Sequence, residues 1–332
     1  MGSRPAWRSL LVIAVVLALG LTGVAPAGAG KLPMATSSAA GPKAAARAPA
    51  AGLMTAYNSY GLQKEVFGYA PYWALDKHNS WDFKVMSTVA YFGLTVNWDG
   101  TWLETDGGHA GFYSQNFTDM VNQAHAAGAR VVLVIKGSGQ AAVNDVVTVP
   151  AYTQLAITNT IGAIGLKGLD GVNVDFEGYT SPTYPNIQAG MTNFVTQMSS
   201  QVHAKWPNAF VSVATYSGSA SWDGGLMNIS ALAPVVDAMF IMAYDMPFEN
   251  TPGQAGPNAP MANFTYNDTT SIKEYLTKAP ASKIILGVPW YGYRFTTNSS
   301  DGYALVSFSP HRELPPARAL ISSRTNRSNP FF

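Results

Sequence analysis

Cysteine is absent from all 332 residues, which excludes a disulfide framework, a thiolate metal site and a lipid-modified cysteine. Stability must then come from packing. Charge is scarce as well: 12% of residues carry one, and 20 Lys plus Arg stand against 19 Asp plus Glu. No global field exists to recruit nucleic acid or an anionic membrane surface, so a neutral partner is expected. The five histidines, His78, His109, His125, His203 and His311, are scattered without metal-ligand spacing, so no metal and no other cofactor is expected. A Gly-x-Ser-x-Gly segment is missing, which removes the usual serine-nucleophile elbow. No phosphate-cradling Gly-rich turn follows the first strand-like run, where Gly68-Tyr69-Ala70-Pro71-Tyr72-Trp73 stands, so a dinucleotide site is disfavoured.

What the chain has is apolar and aromatic surface: 47% hydrophobic residues, with 16 Tyr, 15 Phe and 8 Trp. That composition fits one large globular domain. Most of the rings belong in a core, but a surplus of flat apolar faces beside few charges also suits stacking on sugar rings. At the N-terminus, Arg4 and Arg8 precede an apolar run from Leu10 to Val24 and the small residues Ala25 to Gly30. This layout predicts a signal peptide over 1–30 and a secreted product, extracellular or associated with the cell wall; an uncleaved anchor is the alternative. Residues 31–60, rich in Ala, Pro and Gly, read as a flexible linker. A folded domain is expected over 61–308, and an irregular basic tail with Arg312, Arg318, Arg324 and Arg327 over 309–332.

Within the domain, short β-branched or aromatic runs alternate with helical stretches. The runs are Val66–Ala70, Thr88–Leu94, Arg130–Ile135, Gly171–Phe176, Phe210–Thr215, Ala238–Ala243 and Lys283–Val288. Between them, Gln115–Ala127, Ala151–Leu166, Asn186–Trp206 and Thr269–Lys278 repeat apolar residues at three- and four-residue spacing, as in Phe194, Met198 and Val202. Gly128 and Gly168 stand where helices should stop. Strict alternation predicts right-handed crossovers and a parallel sheet, favouring a (β/α)8 TIM-type barrel over an open doubly wound sheet. The pattern ends before an eighth strand, so the barrel is expected to be incomplete there. On that reading the chain is a truncated or frame-altered form with weakened stability, and a monomer.

The most informative segment is Leu169-Asp170-Gly171-Val172-Asn173-Val174-Asp175-Phe176-Glu177. Strand side chains alternate faces, so Val172, Val174 and Phe176 point one way and Asn173, Asp175 and Glu177 the other. In a barrel the polar row would line an interior that branched apolar residues normally fill. Unpaired buried carboxylates cost several kcal/mol, which favours a working site over a hydrogen-bonded polar plug. Carboxylates two apart on a strand stand ~6.6 Å from one another at ~3.3 Å rise, close enough to push their proton affinities apart. Glu177, the last of the row, is then the candidate acid and Asp175 the carboxylate that stays ionised, a division of labour found in glycoside hydrolysis.

Residues Asp170, Asn173, Asp175 and Glu177 resemble the D-x-x-D-x-D-x-E signature of the family 18 glycoside hydrolases, with Asn173 in place of the second acid. The segment is most similar to the bacterial branch that includes spore-cortex N-acetylglucosaminidases. Phe240-Ile241-Met242-Ala243-Tyr244-Asp245 resembles the family's M-x-Y-D, and Gly287-Val288-Pro289-Trp290-Tyr291-Gly292 its seventh-strand segment. By contrast, Val134-Ile135-Lys136-Gly137 lacks the S-x-G-G of typical chitinases. The resemblance implies cleavage of an N-acetylglucosamine polymer, with the substrate's acetamido oxygen as nucleophile. It assigns catalysis to Glu177, Asp175 and Tyr244, and substrate contact to Asn173, Asp245, Met242, Tyr69, Trp73 and Trp290. A non-catalytic carbohydrate-binding protein on the same fold is the alternative, although such relatives usually lose the acid that Glu177 supplies.

Overall fold

The computed structural model describes residues 61–137, 139–222 and 224–306, and the backbone of 311–313. The expected signal segment and linker, and most of the expected tail, lie outside those residues. Seven strands form one parallel sheet in chain order: β1 (Phe67–Pro71), β2 (Thr88–Val96), β3 (Arg130–Gly137), β4 (Gly171–Phe176), β5 (Phe210–Tyr216), β6 (Ala238–Met242) and β7 (Ile284–Gly287). Neighbours in space that are also neighbours in sequence are what successive crossover units lay down. The connections hold α1 (Gly107–Phe112), α2 (Gln115–Ala126), α3 (Gln140–Thr148), α4 (Pro150–Lys167), α5 (Ile187–Lys205), α6 (Ile229–Leu232), α7 (Pro247–Asn250) and α8 (Asp268–Leu276).

The helices begin and end on local chemistry. Side chains of Asp106, Ser114 and Asn267 accept from the N–H groups of His109, Phe117 and Thr270 and so cap α1, α2 and α8. Pro150 opens α4, and Gly168 ends it at φ 62°, a conformation costly for residues with a Cβ. None of the helices among the described residues is long and apolar enough to cross a membrane.

The sheet is buried on both faces. Its outer face presents Val131, Leu133, Ile135, Val172, Val174 and Phe176, all fully or almost fully buried, to the helices. Phe176 packs on Phe194 of α5 with ring centroids 5.2 Å apart. Each such side chain contributes about 1.5–3 kcal/mol by leaving water. On the inner face, Phe67 and Tyr69 of β1 reach Phe240 of β6 at centroid distances of 5.3 and 5.0 Å. Contact between the first and sixth strands shows how far the sheet curls. Among the described residues no pairing joins β7 to β1 and no eighth strand enters the sheet. Instead β8 (Gly292–Arg294) and β9 (His311–Glu313) make a separate antiparallel pair, the latter within the range expected to be irregular. The barrel expected from the alternation is therefore a curled seven-stranded half-barrel, open where an incomplete eighth position was anticipated.

Register along β2 to β5 orders the inner face in three rows. Ala90, Val132, Gly171 and Phe210 align at the bottom; Phe92, Val134, Asn173 and Ser212 above them; and Thr95, Lys136 and Asp175 at the top. Gly171 is required by close approach, since a Cβ there would lie 1.9 Å from the Phe210 carbonyl oxygen. Polarity thus rises from an apolar floor to a charged mouth at the strands' C-terminal ends, where barrel proteins place their chemistry.

Candidate active site

The row on β4 climbs through this gradient. Asn173 is fully buried, and its amide donates to Ser212 Oγ at 2.9 Å while its carbonyl oxygen accepts from the Tyr69 hydroxyl at 3.2 Å. A side chain that both donates and accepts fits between two hydroxyl partners better than a carboxylate would. Asp175, one step higher, is 8% exposed, and its Oδ1 has no hydrogen-bond partner. Burial and the neighbouring Glu177 carboxylate push its pKa up to about 7, while the Lys136 ammonium draws it down. Glu177 follows the strand's last residue and is exposed at the mouth, where the Tyr216 hydroxyl donates to its Oε2 at 3.0 Å. Burial and the two carboxylates hold the phenols of Tyr69 and Tyr216 well above their ordinary titration range, so both remain donors.

Two carboxyl groups coupled this closely titrate as a pair. With Asp175 pushed up to about 7, the pair keeps one proton on Asp175 up to about neutral pH. Tyr216 holds Oε2 of Glu177.

The other residues implicated by sequence occupy the same mouth with differing exposure. Met242 ends β6, half-buried, in register with Tyr216 on one side and Gly287 on the other. Tyr244 lies just beyond it, edge-on to Tyr291 at 6.0 Å, near enough to Tyr69 to raise the latter's proton affinity. Asp245 sits at φ 62°, strained for a residue with a Cβ. Its backbone N–H donates to Asn258 Oδ1 at 2.7 Å, and its Oδ1 accepts from the hydroxyls of Tyr291 and Tyr293, each at 2.6 Å. Asp245 therefore joins the loop after β6 to the segment after β7. Trp73 follows β1, 60% exposed and edge-on to Phe92 at 6.1 Å, and Trp290 follows β7, 65% exposed.

Three groups that sequence reasoning passed over complete the site: Lys136, Thr95 and Asp106. Lys136 Nζ donates to Thr95 Oγ1 at 2.6 Å and to Asp106 Oδ2 at 3.4 Å, and lies 5.7 Å from the centroid of Phe92. A lysine directly after the run Arg130–Ile135, at what alternation makes an inward position, was the available signal.

Asp170, the first acid of the signature, lies at the opposite end of β4. Its Oδ2 accepts from His125 Nε2 at 2.7 Å and from the Val131 N–H at 2.8 Å, tying the last turn of α2 to the start of β3. Asp237 before β6 does the same with His203 at 3.1 Å and the Val211 N–H at 2.7 Å. These acids are staples on the barrel's floor. Asp170→Ala removes both bonds, one of them to the N–H of fully buried Val131, so the melting temperature is expected to fall by roughly 5–10 °C in thermal denaturation, with the acid pair untouched; an unchanged melting temperature would refute the staple.

The mouth of the parallel sheet thus gathers a carboxylate pair, phenols and exposed indoles at the strands' C-terminal ends. Residues 65–328 match the family model described as Glycosyl hydrolases family 18, and the chain belongs to that family. Human di-N-acetylchitobiase is 27% identical over 203 residues, covering 60% of this chain and 50% of that one. A Bacillus subtilis protein named "Putative sporulation-specific glycosylase YdhD" is 26% identical over 194 residues, covering 57% and 44%. The chain thus spans about half the length of the curated relatives it matches. Among solved structures, a group IV chitinase of Ostrinia furnacalis superposes with a TM-score of 0.63 over 74% of this chain and 71% of that one, at 20% identity, a likeness of fold.

Proposed function

We propose that this protein is an exported hydrolase of beta-1,4-linked N-acetylglucosamine polysaccharide, chitin or peptidoglycan glycan, working with retention through the substrate's own acetamido group. The observation that carries this reading is the ascent of Asn173, Asp175 and Glu177 up the inner face of β4, ending in an exposed acid bonded by Tyr216. Glu177 gives its proton to the leaving glycosidic oxygen as the acetamido oxygen attacks the anomeric carbon. Ionised Asp175 accepts from the amide N–H and balances the oxazolinium cation; Tyr244 holds the acetamido oxygen. Water then opens the ring, and Glu177 takes its proton. On this reading the second carboxylate, Asp175, is engaged with the acetamido N–H rather than attacking the anomeric carbon, in keeping with the substrate-assisted exception to the two-carboxylate scheme. Similarity to a chitobiase and to a sporulation glycosylase supports the N-acetylglucosamine class without choosing between polymers.

The test compares products from chitin oligomers, fully deacetylated oligomers and purified peptidoglycan. N-acetylated substrates should be cut and deacetylated ones should not, since the nucleophile is missing from them. Comparable cleavage of chitosan or cellulose oligomers would remove substrate assistance. Binding of every N-acetylated polymer with cleavage of none would leave a carbohydrate-binding protein instead.

A further inference from the structure

Lys136 stands directly beside Asp175 across the β3–β4 ladder, and both side chains face the interior. Strands ~4.8 Å apart bring such a pair within strong electrostatic reach where the interior is dry. The ammonium is anchored from behind: Thr95 aligns with Lys136 on β2, and Asp106 is itself fixed as the N-cap of α1. Asp175 and Glu177 share a site, and burial alone would place their common proton on Asp175, the more buried of the two.

We propose that Lys136 is a positioning residue that draws the proton affinity of Asp175 down against burial and Glu177, so that the shared proton can pass to Glu177 and leave Asp175 charged when the acid works. This rests on the catalytic reading above. The groups around Asp175 limit the alternatives: Tyr69 from β1, Glu177 on its own strand and Tyr216 from β5 are phenols or an acid, and Lys136 from β3 is the cation that acts on it. Thr95 and Asp106 act through Lys136. Asn173, bonded to Tyr69 and Ser212, carries no charge that could do the same work.

The test compares Lys136→Met and Lys136→Arg with the parent. In Lys136→Met the proton is held more tightly on Asp175, so kcat on N-acetylated oligomers is expected to fall at least about tenfold. Both limbs of its pH–rate profile should move upward by about one unit, whereas Lys136→Arg keeps the parental profile. A second readout needs no catalysis. The melting-temperature difference between Asp175→Asn and its parent is followed against pH, in the Lys136 and the Lys136→Met backgrounds. The midpoint of that difference should lie higher by about one pH unit without the lysine. If the parent hydrolyses nothing yet the midpoint moves, the electrostatic role stands and the catalytic reading fails. If the parent is active and neither the pH profile nor the midpoint moves, Lys136 does not place the proton and the proposal is overturned.

Discussion

Glu177→Gln should bind N-acetylated oligomers as the parent does and turn them over about 10²–10⁴ times more slowly, the usual contribution of a placed acid. The amide has the carboxyl's shape and can still accept from Tyr216, whose bond to Oε2 is 3.0 Å long. It has no proton acidic enough to give to a departing sugar oxygen. Because Glu177 is exposed and lies beyond the last residue of β4, the change removes no core packing and relieves the like charge beside Asp175, so the melting temperature should not fall. Parallel titration calorimetry and initial-rate measurements separate the two effects. Turnover within a few-fold of the parent would place the acid elsewhere.

The same row shows what could be read from the sequence and what could not. Alternation sufficed to place Val172, Val174 and Phe176 against the helices and Asn173, Asp175 and Glu177 in the interior, because a period of two is fixed by the pleat. All seven strands lie close to their expected positions for the same reason. The omissions come from strand ends. The expected runs stop at Leu94 and Ile135, but β2 and β3 continue to Val96 and Gly137. Those extra residues carry Thr95 and Lys136 into the mouth. A lysine and a threonine read as the polar punctuation that ends a strand; in a barrel they are the polar upper row of the interior. The bulge between Phe92 and Leu94 shifts the register by one residue, which is what brings Thr95 inward. Helix α3 was also missed, since its apolar residues Val143, Val146 and Val147 make only one helical turn between a strand end and a longer helix. Asp170 shows the reverse error: a motif that joins four positions by spacing does not reveal that the first belongs to the floor, where it bonds His125 and Val131, while the last belongs to the mouth. The two phenols on Asp245 are long-range contacts, 46 and 48 residues away in the chain, beyond the reach of local pattern.

Asp175→Asn should change activity and stability in opposite directions. Turnover falls sharply, because an amide cannot balance the cationic intermediate. The fold, however, gains. Burial and Glu177 raise the folded-state pKa of Asp175 to about 7, above its ordinary value of 3.8. The folded protein therefore holds a proton that the unfolded chain releases, and stability contributed by this group is present below about pH 4 and is lost as pH rises towards 7. Above 7 the carboxylate remains charged in a site where its Oδ1 has no partner. Asparagine carries no charge at any of these pH values, and Lys136 keeps Asp106 as its partner, so no cation is stranded. The melting temperature of the variant should match the parent near pH 4, rise above it through the neutral range and level off beyond about 8. The size of the gain follows from roughly 2–4 °C per kcal/mol in a domain of this length. Scanning calorimetry across that range decides it: a difference that is flat with pH, or a variant less stable than the parent at alkaline pH, would mean that Asp175 is not the strained carboxylate at the centre of this site.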